Sequence, residues 1–236
     1  MVWIAGVDGC RAGWFVVLRV AGAGEARGRV VARFTDVLAL PERPERIAID
    51  IPIGLLDAGE PGGRACDREA RRLLGPRGCT VFSPPVRCAL ACADYCTALQ
   101  TCRASSRHGL GISRQCFNLF GKLREADAAM TPARQERLIE THPELCFYEM
   151  DGGRPLEEPK RSAQGRAARV RLLQKAGFAD PEGLRGQHSV SQVKADDVLD
   201  ACAACWTAER HLGGGATRVP VGPPRDARGL RMEIWR

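Results

Sequence analysis

Four short apolar runs fill the first 54 residues, and two of them end in an aspartate. Val2 to Val7 leads into Asp8, and Arg46 to Ile49 leads into Asp50. Between these lie Trp14 to Val20 and Val30 to Phe34, bounded by Asp8–Gly13 and by the turn-rich segment Ala21–Gly28. Apolar runs of this length, punctuated by glycine and aspartate, predict β-strands, the first three joined as an antiparallel meander. A short helix is expected over Thr35–Leu40, capped by Thr35, and Pro52 breaks the fourth strand. The β-β-β-α-β order sets the central strands side by side, with Asp8 and Asp50 each at a strand's C-terminal end.

Beyond Pro61 the pattern turns helical. Arg64–Leu74, Arg87–Cys102 and Gln115–Met130 are predicted helices, with a loop over Gly75–Pro85. They form a helical insertion, about 60–135, whose apolar faces need the sheet for burial. Strand character is expected to return over Leu138–Phe147. Helices follow over Gly165–Gly177 and Asp197–His211, and the alternation of Leu230, Met232 and Ile234 predicts a final strand. The whole, 1–236, reads as a single α/β domain. Hydrophobic residues at 44% and charged residues at 27% exclude wholesale disorder. No apolar run approaches the roughly 18 residues of a membrane span. The first strand begins at once, without a charged leader, so a cytoplasmic location without membrane association is expected.

The net charge of +7 comes from 35 basic residues, of which only Lys122, Lys160, Lys175 and Lys194 are lysines. Guanidinium groups grip phosphate oxygens bidentately, which fits a nucleic-acid or nucleotide partner; a GC-rich genome produces the same bias. Eleven cysteines, an odd number, are expected to be reduced thiols. Cys88, Cys92 and Cys96 fall four apart, as on one helical stripe, and Cys202 and Cys205 lie in an alanine-rich helical run. Burial as small hydrophobes explains them better than zinc ligation. Trp14, Phe15, Trp206 and Trp235 sit in apolar runs and are read as core, leaving no evident base-stacking platform.

The carboxylates are more informative. Asp8 and Asp50 terminate strands, and Asp197 and Asp200 lie three apart near a helix start, on one face. Each alone has a structural explanation as a turn or cap residue. Together, carboxylates converging on one sheet edge repel one another unless cations bind between them. Oxygen-only ligands favour Mg²⁺ or Mn²⁺.

Several segments carry a resemblance in chain order: Gly6-Val-Asp8-Gly9, Ala48-Ile-Asp50-Ile-Pro-Ile-Gly-Leu55, Glu140-Thr-His-Pro-Glu144 and Asp197-Val-Leu-Asp200-Ala. Arg64-Ala-Cys-Asp67 with Ala70-Arg71, Gly111-Ile-Ser113 with Gln115, Lys160 with Gly165-Arg166 and Arg169, and Asp226 with Gly229-Leu-Arg-Met232 extend it. The chain resembles, along nearly its whole length, the predicted RNase H-like nuclease family (domain-of-unknown-function family 429). Within the RNase H-like superfamily it is most similar to the Holliday-junction resolvase branch. That branch carries acids after the first and fourth strands and Asp-x-x-Asp-Ala on its last helix, places that Asp8, Asp50, Asp197 and Asp200 fit. The helical insertion and the Glu140–Glu144 motif depart from the resolvase pattern.

The resemblance implies an RNase H-like mixed β-sheet flanked by helices. It also implies phosphodiester hydrolysis of nucleic acid, DNA or RNA undetermined, by two Mg²⁺ or Mn²⁺ ions roughly 3.5–4 Å apart. Asp8 would bridge the ions, Asp50 and Asp200 would complete their separate shells, and Asp197 or Glu140 would add a further ligand. Lys160, Arg166 and Arg169 would face phosphate, and Lys122 could reach one. A resolvase-like action would require a homodimer. His142, between Glu140 and Glu144, is read as a hydrogen-bonded structural histidine, with general-base action as the other possibility. Two other functions are compatible with the residues: a non-catalytic nucleic-acid or protein binding module, and an actin-like or sugar-kinase-like phosphotransferase using the Asp8-Gly9 turn.

Overall fold

A computed structural model describes all residues, 1–236. Three antiparallel strands open it: β1 (Trp3–Cys10), β2 (Gly13–Val20) and β3 (Ala26–Val31). A one-turn helix, α1 (Phe34–Leu38), leads to β4 (Arg46–Ile49), and β5 (Leu138–Glu140) completes a five-stranded sheet in the order β3-β2-β1-β4-β5. β4 runs parallel to both β1 and β5, and β2 runs antiparallel to its neighbours. This is the mixed sheet flanked by helices expected from the sequence, consistent with an RNase H-like fold.

Strand periodicity distributes the chain between two cores, since successive side chains point to opposite faces. On one face Ala5, Val7, Val16, Ile47, Ile49 and Leu138 pack with Phe34 of α1 and with Phe120, Leu123 and Ala126. The last three belong to α5 (Phe120–Ala129), which follows α2 (Ala65–Leu74), α3 (Tyr95–Ala104) and α4 (Arg114–Asn118) in the helical layer. That layer shares its core with the sheet, as its apolar patterning required. The opposite face buries Ile4, Phe15, Val17, Ala48 and Ile139 against three helices. These are α7 (Pro143–Met150), α8 (Ala163–Lys175) and α9 (Ala195–Leu212), the short α6 (Pro132–Gln135) lying before β5.

α9 lies against β1 with almost no spacing. A Cβ on Gly6 would stand 2.0 Å from the backbone nitrogen of Cys205 and 2.1 Å from the carbonyl oxygen of Ala201. The alanines and cysteines of α9 at 201–205 are fully buried, and their small side chains permit this approach.

Several local expectations are corrected. The cysteine-bearing segment is no continuous helix: a 3-10 turn over Arg87–Ala91 breaks before α3, so Cys88, Cys92 and Cys96 form no helical stripe. All eleven cysteines are free. Strand β5 stops at Glu140, and Pro143 begins α7 instead of interrupting a strand, because proline at a first helical position loses no hydrogen bond and is already set at a helical φ. Thr35 lies inside α1, which follows Arg33. At the C-terminus only β7 (Ile234–Trp235) is a strand, paired with β6 (Arg218–Val219). Trp14 and Phe15 are core, whereas Trp206 and Trp235 are half-buried beneath Arg210 and Arg218. No helix is long and apolar enough to cross a membrane.

The β1–α9 contact yields a measurable expectation. Gly6→Ala must push α9 off the sheet, and overpacking of this kind costs about 1–3 kcal/mol. Thermal unfolding should fall by about 3–10 °C for a chain of this size; an unchanged melting temperature would show that α9 is not held this closely.

Candidate active site

The register of the parallel strands sets the first two carboxylates side by side. Gly6 pairs with Ala48 and Val7 with Ile49, and the Asp50 N–H donates to the Val7 carbonyl at 3.0 Å. The next residues in register are Asp8 and Asp50, on strands about 4.8 Å apart. Both share the face of Gly6 and Ala48, the face covered by α9. Because α9 touches β1 at Ala201, the preceding residue, Asp200, arrives over the same strand ends. Ligand sites in open α/β sheets recur at this place, outside the carboxyl ends of adjacent parallel strands.

The resulting cluster is buried and crowded. Asp200 is 2% exposed and Asp8 8% exposed. Burial, then the charges of Asp50, Asp200 and Asp197, push the Asp8 carboxyl well above the ordinary 3.8, with Lys160 opposing. Burial raises Asp50 to about 6, against the pull of Lys160 and with a push from Glu144. Asp200 also reaches about 6, by burial, despite Lys160 and helped by Asp50 and Glu144. Asp197 is lifted to about 6, again chiefly by burial. Its Oδ2 accepts the Lys194 N–H at 2.9 Å, so it caps the first turn of α9 while bordering the cluster.

One cation meets this negative charge directly. Lys160, on the loop between α7 and α8, donates from Nζ to Asp200 Oδ2 at 2.7 Å and lies 3.6 Å from Asp196. Burial lowers its pKa, but Asp200, Asp8 and Asp196 outweigh burial and raise it overall. No group of three or more His, Cys, Asp or Glu side chains closes round a common point so as to hold a metal ion. The donor chemistry nevertheless fits a hard divalent cation: Asp8, Asp50 and Asp200 offer only oxygens, and each is strained by burial and by neighbouring charge. The ammonium of Lys160 occupies the place of positive charge.

A half-open cavity of about 260 Å³ leads to these groups, lined by Asp50, Lys160 and Asp200 together with Arg77, His142 and Glu144. Glu144 was visible in the sequence only as the end of a motif. Pro143 was the signal that it belongs to a helix and returns to the α9 side. Arg77 was not singled out by any pattern; its NH2 lies 3.7 Å from Glu144. His142 stands just before α7, its pKa lowered chiefly by burial, and its Nδ1 has no partner.

Two expected site residues are held in buried ion pairs. Glu140 pairs in register with Ile49 and therefore points to the opposite face of the sheet. There its oxygens accept from Arg64 at 2.6 and 2.8 Å and from the Ile53 N–H at 2.6 Å. Arg64, 1% exposed, also binds Asp67 at 2.7 Å. Burial lowers the Arg64 pKa, but Asp67 and Glu140 more than reverse this. Glu140 is thus consumed by a buried ion triad and is not a ligand of the aspartate cluster. Arg169, 1% exposed, donates to Glu144 Oε1 at 2.6 Å and to the Gly165 carbonyl at 2.9 Å, so its guanidinium is engaged within the fold at the edge of a second cavity.

Arg166 is ion-paired with Glu182 at the rim of a second cavity of about 190 Å³, which Lys160 and Asp200 also line. Lys122 donates to the Gly13 carbonyl at 2.5 Å and sits 4.5 Å over the Trp14 ring. Its stem covers Gly9, and its charge lies within reach of Asp8 and Asp197. Asp226, another residue of the motif set, accepts the Leu55 and Leu230 N–H groups and pairs with Arg87. It fastens the C-terminal segment to the exit of β4.

Two expectations follow. Arg64→Met leaves two buried carboxylates uncompensated, a loss of about 3–5 kcal/mol; adding Glu140→Gln should recover part of it in chemical denaturation. No recovery would place the damage elsewhere. Second, Asp50, Asp197 and Asp200 bind protons more tightly folded than unfolded. The stability this supplies is complete below about pH 3.8 and is lost as pH rises through about 6. Asp50→Asn should therefore flatten that decline and raise metal-free stability at pH 7.5 by about 1–3 kcal/mol. A variant less stable than the native chain at pH 7.5 would contradict the repulsion described above.

The chain matches the family described as Protein of unknown function (DUF429) over residues 6–225. No curated protein and no solved structure matches it. The matched span runs from Gly6, at the β1–α9 contact, through Asp8, Asp50, Lys160 and Asp200. The chain belongs to the DUF429 family.

Proposed function

We propose that the protein is a metal-dependent nuclease of RNase H-like type, hydrolysing phosphodiester bonds of nucleic acid. The observation that carries this reading is the gathering of Asp8, Asp50 and Asp200 on one face of the sheet, close enough to raise one another's pKa, with Asp50 and Asp200 lining a cavity open to solvent. Carboxylates so buried lower the stability of the fold at neutral pH, and a divalent cation is the natural compensation. Asp8, Asp50 and Asp200 would hold Mg²⁺ or Mn²⁺, with Asp197 beside them. When bound there, such ions supply a water nucleophile at neutral pH and stabilise the departing oxygen.

The protein's own groups have parts to play in this reading. Lys160, which neutralises Asp200 at 2.7 Å, would be free to pair with a substrate phosphate once a divalent cation took over the charge of that carboxylate. Arg77 and Arg166 offer further positive charge on the two cavities. The 35 basic residues against 28 acidic ones favour a polyanionic substrate. A binding module without catalysis would have no use for mutually repelling buried acids. A phosphotransferase would be recognised by ATP turnover without nucleic acid.

The test is a panel of labelled single-stranded, branched and hybrid nucleic acids incubated with Mn²⁺. Asp8→Asn and Asp200→Asn should each cut cleavage by more than about 100-fold, since even supporting groups of metal sites cost 10–100-fold. Calorimetric Mn²⁺ uptake should vanish with cleavage, while circular dichroism stays native. Cleavage persisting in both variants would refute the assignment.

A further inference from the structure

The cavity beside the aspartates has walls that catalysis by metal and carboxylate does not require. Phe82 and Leu119 supply apolar surface, and Gln115, Thr80, Arg77 and His142 supply polar edges. These come from three separate segments: the 3-10 turn at Gly75–Thr80 with Phe82 just after it, helix α4 with its C-cap, and the start of α7. Gln115 is exposed and Leu119 half-buried, so the mouth is formed by the helical layer and the foot by the sheet. Arg77 Nε and His142 Nδ1, in residues of this wall, have no hydrogen-bond partner within the chain. Nine other buried side-chain atoms of the chain share this state, so it is the lining of the cavity, apolar faces beside polar edges, that marks this wall.

The size of the space restricts what enters. At about 260 Å³ it is slightly smaller than the roughly 300–1,000 Å³ of pockets that take drug-sized ligands. One ring system fits; a segment of stacked duplex does not. The carboxylates lie at its foot, with Asp200 2% exposed. A phosphate held in a regular duplex is flanked on both sides by backbone and cannot descend to them alone. An unpaired nucleotide can, carrying its phosphate to the acids and its base between the apolar walls. Enzymes that handle extruded bases use this combination, apolar side chains on the ring faces and polar groups at the ring edge.

We infer that this cavity is a nucleotide subsite, which receives one unpaired or extruded base next to the scissile phosphate. Phe82 and Leu119 cover the base, Gln115 and His142 meet its edge, and Arg77 lies toward the phosphate. The inference rests on the nuclease reading for the position of the phosphate. It adds the substrate feature that the site selects: a locally unpaired strand in place of a continuous helix.

The test uses the full chain. Two DNA duplexes of one sequence are compared with Mn²⁺, one fully paired and one with a single unpaired 2-aminopurine. Separately, 2-aminopurine nucleoside 5′-monophosphate is titrated in Ca²⁺, followed by its fluorescence. The unpaired nucleotide should raise cleavage at its own phosphate about tenfold or more. Leu119→Trp, which fills the cavity, and Gln115→Ala, at an exposed position that folding tolerates, should each weaken nucleotide binding about 5–10-fold. That is the lower part of the range for losing one stacked base. Equal cleavage of both duplexes, with nucleotide binding unchanged in both variants, overturns the inference and leaves the nuclease reading standing. Nucleotide binding sensitive to both variants, without cleavage of any strand, upholds the subsite and overturns the nuclease reading. Absence of both binding and cleavage overturns both.

Discussion

The contact between Gly6 of β1 and the backbone of α9 governs the rest of the molecule. With room for a hydrogen and nothing more at that point, the helix is fixed over the strand ends at a distance no larger residue allows. Asp200 then has no path away from Asp8 and Asp50. The same packing that fills the core with alanine and cysteine creates a pocket of negative charge in a medium that solvates charge poorly. Lys160 offsets part of that cost from outside, on a loop that is not part of the sheet or of α9. The fold therefore holds its own electrostatic conflict in place by close packing, which functional sites commonly do.

The surrounding buried ion pairs serve a different end. Arg64 with Asp67 and Glu140 ties α2 to the exit of β4 and to β5, and Arg169 with Glu144 ties α8 to α7. Each of these carboxylates has its partner arginine within 2.7 Å. The aspartate cluster differs because several carboxylates share one ammonium. That imbalance, more than the presence of acids as such, separates the candidate site from the framework. It also explains why Glu140, a site candidate through the family resemblance, belongs to the framework, while Arg169 is tied to Glu144 at the edge of the second cavity.

Much of the sheet was legible from residue pattern. Asp8 and Asp50 end apolar runs, and the short glycine links between the first three runs leave little besides a meander. The helical layer was legible as a change of period, but its internal breaks were not. The turn after Ala91 and the short α4 answer to packing against the sheet, which local sequence does not encode. Glu140 was misplaced for a related reason. A three-residue strand shows too little alternation to reveal its inward face, and the register with Ile49 decides it. His142 and Glu144 fall in the expected strand; Pro143 puts its regularity in doubt from sequence alone, and the structure shows that it starts a helix.

The sequence by itself determined the class of the fold, the strand-end positions of two aspartates and the spacing of two more on one helical face. It determined these because periodicity and turn chemistry are local properties. Only the tertiary structure decided which acids share a pocket and which are neutralised, that Lys160 stands among them, and that a cavity bounded by Phe82, Gln115 and Leu119 opens onto them. Those outcomes depend on strand register, set by pairs such as Gly6 with Ala48 and Ile49 with Glu140, and on one helix–strand distance, set by Gly6 against Cys205 nearly two hundred positions away.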